Sequence, residues 1–142
     1  ESLTVNRDLF SEEVEKLINL LPNINIQIDN NWIKVDYKDI PQVISILKSK
    51  FNFCQLIDIT AVDTLNNTFD ILYILRNLEK NSVAYVKTIC HGSAYSITNI
   101  FKNADLYECE IYEMFGIRFI NHPNLRTIFS NSLEYPLRKS NG

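Results

Sequence analysis

The sequence predicts an α+β fold, a mixed β-sheet of about five strands covered by helices and followed by an extended C-terminal tail. Three observations carry this. Hydrophobic periodicity changes along the chain in the order helix, two strands, helix, three strands, helix. The 142 residues, 46% hydrophobic and 22% charged, suffice for one core that buries about 70% of the surface an unfolded chain exposes. No run of roughly 18 apolar residues exists, so no membrane-spanning helix is expected.

Taken in order, Val14, Leu17, Ile18 and Leu21 recur at the spacing of one helical face, with Ser11 as cap, Glu12 and Glu13 at the positive end and Pro22 as stop. Ile24, Ile26 and Ile28 alternate with polar residues, Asp29-Asn30-Asn31 turns, and Trp32, Ile33, Val35 and Tyr37 return, which reads as a hairpin. Asp39-Ile40-Pro41-Gln42 reads as a cap and first turn, and Val43, Ile44, Ile46, Leu47 and Phe51 continue it as a second amphipathic helix. Phe53 to Val62 is apolar and β-branched, the pattern of a buried strand; Phe69 to Leu75 and Val83 to Ile89 alternate, completing a meander with short links. Cys90-His91 reads as a strand end entering a loop. A short helix is predicted over 96–102. A longer one follows from Ala104 to Phe115, with Tyr107, Ile111, Met114 and Phe115 on one face and Gly116 as a left-handed stop.

Residues 1–115 therefore form the α+β domain and residues 116–142 an extended tail. Charge divides along the same line: 10 basic and 16 acidic groups before the boundary, a net of −6, against four basic and one acidic after it, a net of +3. A basic, irregular tail points either to docking on a partner or to folding back onto the acidic body. The overall charge of −3 argues against a nucleic-acid binder, which needs a basic face. Cys54, Cys90 and Cys109 are odd in number and widely spaced, so a reducing compartment and no chain-borne zinc or iron–sulfur cluster are expected. The first residue is Glu1 rather than Met, which reads as a processed or trimmed end.

Few residues point to chemistry. Asp105, Glu108, Glu110 and Glu113 are the densest polar cluster, with Glu110 and Glu113 one turn apart. Paired carboxylates perform acid–base work when one is buried and its pKa raised, but no nucleophile stands at a matching spacing, and carboxylates on a helix are usually solvated or paired with arginines. His122, held extended by Pro123, reads as a hydrogen-bonded structural residue. No phosphate-binding glycine motif is present among only three glycines. A hydrolase built from Glu110, Glu113 and His122 is the competing reading.

Three motifs and one upstream stretch then carry a resemblance. The run Glu108-Cys109-Glu110-Ile111-Tyr112-Glu113-Met114-Phe115-Gly116-Ile117-Arg118-Phe119 is followed by Asn121-His122-Pro123-Asn124-Leu125-Arg126 and by Tyr135-Pro136-Leu137-Arg138-Lys139, while Asp58-Ile59-Thr60-Ala61-Val62-Asp63 stands upstream. Together they resemble the 30 kDa subunit of respiratory complex I, a component of the bacterial NADH-quinone oxidoreductase and, as NADH dehydrogenase subunit 9, of the mitochondrial enzyme. Cys109 stands where the family pattern has Arg, and Asn121 where it has Gly.

The resemblance implies a structural subunit of the hydrophilic arm, without catalytic residues, cofactor or metal of its own, in a hetero-oligomer whose flavin (FMN) and iron–sulfur clusters sit in other subunits. Its implied partners are the 49 kDa quinone-site subunit and the neighbour that holds the terminal cluster. Its implied location is peripheral, on the matrix side of the mitochondrial inner membrane or the cytoplasmic face of a bacterial one. Glu108, Glu110, Tyr112, Phe115 and Gly116 would fix the helix end, and Arg118, His122, Pro123, Leu125, Arg126, Pro136, Leu137, Arg138 and Lys139 the tail against partners. The alternative is the equivalent subunit of a complex-I-like membrane-bound hydrogenase or plastoquinone reductase.

Overall fold

The computed structural model describes residues 12–128. The Ser11 cap and the Tyr135–Lys139 motif lie outside them. Residues 12–20 form helix α1, with Val14, Leu17 and the following Leu21 buried and Ile18 left 39% exposed at the margin of the stripe. Strands β1 (Gln27–Asp29) and β2 (Trp32–Lys34) pair antiparallel across Asn30 and Asn31, both at positive φ. That is the backbone a tight hairpin turn demands.

The hairpin is shorter than the alternation implies. Ile24 and Ile26 pack on the core without joining a strand, and Tyr37 enters a 3-10 turn, Tyr37–Asp39. The expected cap is also displaced. Asp36 caps that turn by accepting the Lys38 N–H at 3.0 Å, whereas Asp39 makes no capping bond to α2 (Ile40–Phe51). Helix α2 buries Ile40, Val43, Ile44, Leu47 and Phe51 and closes on Asn52 in the left-handed region.

Strands β3 (Gln55–Asp63), β4 (Phe69–Asn77) and β5 (Ser82–Cys90) form the expected antiparallel meander. The sheet order is β1-β2-β5-β4-β3, with β2 parallel to β5, so the sheet is mixed. Thr60 and Val62 alternate with the buried Ile59 onto the outer face of the sheet and are exposed rather than buried as the apolar run implied. Ile59, Ile71, Tyr73, Leu75, Ala84 and Val86 point to one face and make the core with the helices.

The predicted helix over 96–102 is absent. Strand β6 (Ser93–Tyr95) leads into a single turn in which Ile97 O accepts the N–H groups of Ile100 and Phe101. Helix α3 (Ala104–Phe115) follows and ends on Gly116 at φ 78, as read. The chain then turns back at once: β7 (Arg118–Ile120) pairs parallel with β6, and Ile117 and Phe119 are buried. The tail predicted to be extended from residue 116 thus begins as a strand of a β6-α3-β7 unit, because parallel partners need a crossover that α3 supplies.

Candidate functional site

The polar residues of α3 do not face solvent together. Glu108 is fully buried and Glu113 is 4% exposed. Glu108 Oε2 accepts the Ile97 N–H at 2.9 Å, and Glu113 Oε1 accepts the Ile128 N–H at 2.5 Å. One carboxylate therefore ties α3 to the turn after β6, the other to the chain beyond β7. Burial pushes the Glu108 carboxyl up to about 7, with the Ile97 N–H and Ser96 hydroxyl opposing and the Asp105 charge adding to it.

Asp105, which the sequence placed in the acidic cluster but not among the interface residues, is the hub. Its Oδ1 lies 3.0 Å from His122 Nε2 and 3.1 Å from Arg126 Nη1, and Arg126 Nη2 reaches Oδ2 at 3.4 Å. The Arg126 bond holds the Asp105 carboxyl below its ordinary value. Arg126 also donates to the Asn124 carbonyl at 2.7 Å and toward Cys109 Sγ at 3.6 Å. The Asn124 N–H donates to His122 Nδ1 at 2.9 Å, which makes Nδ1 the acceptor and places the proton on Nε2, aimed at Asp105. Asn121, at φ 71, takes the left-handed backbone that turns residues 122–128 back along α3. We refer to residues 121–128 as the strap.

The sequence-predicted residues fall into three groups. His122 and Arg126 meet Asp105, and Leu125 packs on the core. Tyr112 O accepts the Gly116 N–H, Phe115 packs edge-on against Phe69 at 5.8 Å, and Arg118 lies 5.9 Å over the Tyr112 ring. Glu110 is half-buried and Pro123 exposed, away from this cluster's contacts. Pro136, Leu137, Arg138 and Lys139 lie outside the described residues. His122 engages Asp105 and approaches Glu108 (4.0 Å) rather than Glu110 and Glu113, so the hydrolase triad is not assembled. Asp105 and Cys109, to which the sequence reading gave no interface role, had one signal of it: with Glu108 they repeat at i, i+3 and i+4 on one face of α3.

Asp105, Cys109 and His122 bring ligand-type atoms within 4.8 Å of one another. The donor set does not fit a metal. Arg126 already points its guanidinium at both Oδ1 and Sγ. A metal-bound imidazole donates from its other nitrogen, whereas Nδ1 here accepts. Burial raises the Cys109 thiol pKa, which disfavours the thiolate a metal needs. The cluster is a hydrogen-bonded fastening between α3 and the strap.

This is an α+β domain in which Asp105, Glu108, Cys109 and Glu113 of α3 are hydrogen-bonded to the chain before and after that helix. Residues 33–141 match the family described as the respiratory-chain NADH dehydrogenase 30 kDa subunit, and the chain belongs to that family. It is 33% identical over 119 residues to NADH-ubiquinone oxidoreductase subunit 9 of Dictyostelium citrinum, covering 75% of this chain and 57% of that one. A probable mitochondrial 30.4 kDa NADH-ubiquinone oxidoreductase subunit of Candida maltosa is 39% identical over 119 residues, 78% of this chain and 43% of that one. A bacterial relative, an NADH-quinone oxidoreductase subunit of Francisella philomiragia, is 31% identical over 141 residues, 73% of this chain and 66% of that one. The chain thus spans between 43% and 66% of the length of these relatives. The fold matches a chain of the membrane-bound sulfane sulfur reductase, an archaeal respiratory membrane complex, with a TM-score of 0.78 at 23% identity, covering 92% of this chain and 84% of that one. It also matches the trypsin-resistant fragment of Nqo5, with a TM-score of 0.66 at 21% identity, covering 81% and 98%. No helix among the described residues is long and apolar enough to cross a membrane.

Proposed function

We propose that this chain is a non-catalytic structural subunit of the hydrophilic arm of an NADH:quinone oxidoreductase, peripheral to the membrane, and that it docks on the quinone-site 49 kDa subunit and the terminal-cluster subunit. The family match across α3 and the strap carries the reading. It is supported by chemistry: the imidazole, thiol and carboxylates that a catalyst would use are tied into holding the strap. Redox centres must be kept within narrow distances, and a rigid domain with a fixed exit for its C-terminal segment supplies that positioning.

On this reading His122 and Arg126 set the strap within the chain, while Arg118 and the downstream Arg138 and Lys139 meet partner carboxylates and carbonyls. The test is co-purification with a tagged full chain. Recovery of the quinone-site subunit in a complex that oxidises NADH supports the proposal, and turnover by the chain alone, or its recovery without that subunit, overturns it. If the recovered complex reduces quinone from another donor, the alternative of a complex-I-like hydrogenase or plastoquinone reductase replaces it.

A further inference from the structure

The sheet beneath α3 contains polar groups that the strap does not use. Tyr73, on β4, is fully buried, and its Oη has no hydrogen-bond partner among the described residues. The same holds for Glu108 Oε1, although Oε2 of that carboxyl is bonded to Ile97. Thr88 Oγ1 is a third such atom. The β4–β5 register sets Tyr73 opposite Val86 and Thr88 opposite Ile71, so Thr88 is Tyr73's diagonal neighbour on the same inner face. Cys90 stands one pair further along that face, opposite Phe69. The Tyr73 hydroxyl is pushed well above its usual range, first by burial and then by the charges of Glu108 and Cys90, which puts its oxygen in the field of both.

A buried polar oxygen left without a partner costs roughly 1–3 kcal/mol, and native interiors meet such groups with internal water making about three bonds. We propose that Glu108 Oε1, Tyr73 Oη and Thr88 Oγ1 line a buried water site between α3 and the sheet, and that this water completes a hydrogen-bond chain from the core tyrosine to Glu108, whose other oxygen is held by the Ile97 N–H. His122 Nε2 stands 4.0 Å from Glu108 Oε1, beyond hydrogen-bond distance, and is turned instead to Asp105 Oδ1 at 3.0 Å.

Water suits this position because it is both donor and acceptor. It donates to Glu108 when the carboxyl is ionised and accepts from it when protonated, so the group can exchange a proton near neutrality with α3 in place. The groups facing Glu108 are Asp105 on its own helix, Ser96 and the Ile97 N–H from the turn after β6, Tyr73 on the sheet, and His122 from the strap.

A high-resolution crystal structure of the full chain, with water itself as the probe, tests the site. An ordered water within about 3.2 Å of both Glu108 Oε1 and Tyr73 Oη supports it; direct contact between the two oxygens, with no density between them, overturns it. In solution, Tyr73→Phe and, as a second variant, Thr88→Val are compared with the wild type by 13C NMR titration of the Glu108 carboxyl. A rise in its midpoint of a few tenths of a pH unit or more in either folded variant supports the chain, because an ionised carboxylate loses a relayed donor. An unchanged midpoint in both overturns it.

Discussion

The sheet core and the seam between α3 and the strap are assembled by different physics. In the core, Ile71, Leu75, Ala84 and Val86 of β4 and β5 share one cluster with Val43, Ile44 and Leu47 of α2, all at 2% exposure or less. Burial there is non-directional and its energy follows area and fit. In the seam, Glu108, Glu113, Cys109 and the His122 ring are similarly sheltered, yet each contact depends on a donor meeting an acceptor. The core tolerates volume-conserving change but not voids. The seam needs an acceptor at its buried carboxylate positions and is the part expected to respond to pH.

The largest expected effect lies in the core. Ile71→Ala leaves a cavity in a fully buried site and should cost about 3–4 kcal/mol, with a loss by chemical denaturation that is the same at pH 5 and pH 8. A pH-dependent loss would erase the distinction between the two regions.

Glu108 gives the opposite signature. Its folded pKa of about 7 exceeds the ordinary 4.5, so the folded state holds the proton more tightly. The penalty is absent below about pH 4.5, grows as pH rises, and is complete above about 7, on the order of 3 kcal/mol. Glu108→Gln keeps an acceptor for Ile97 and removes the charge, so its stability should overtake that of the wild type between pH 5 and pH 8. Parallel stability curves for the two proteins would refute this.

Gly116→Val forces a β-branched side chain to φ 78 at the end of α3 and should lower stability by about 2 kcal/mol, read as a lower thermal midpoint. Arg126→Ala removes a half-exposed pair with Asp105 and should cost under about 1 kcal/mol in the chain itself. It should also speed alkylation of Cys109, which lies under Asn124 and Arg126, relative to the exposed Cys54. Unchanged relative labelling would show that the strap does not depend on Arg126.

Much of this was legible in the residues because it is local. The 3.6-residue stripe of α2, the alternation in β4 and β5 and the Gly116 stop are each encoded within a window of a dozen residues or fewer. The low glycine content is explained by the same windows: Asn30, Asn31, Asn52, Asn67, Asn81 and Asn121 occupy left-handed positions where asparagine is the next most tolerant residue. The β3 run misled because an apolar strand reads alike whether one or both of its faces are covered. The turn after Tyr95 misled because its Ile97 N–H is satisfied from α3, eleven residues away.

By itself the sequence determined the strongly periodic segments, among them α2, α3, β4 and β5, the Gly116 stop and, through its motifs, the family. Only the tertiary structure decided that β2 lies beside β5, that β7 returns to β6, and that Glu108 is buried while Asp105 gathers His122 and Arg126. The physical reason is range. Periodicity and backbone preference act between near neighbours, whereas strand order and the burial of a charge are set by contacts between residues far apart in the chain, whose closure entropy is repaid only when the whole core forms.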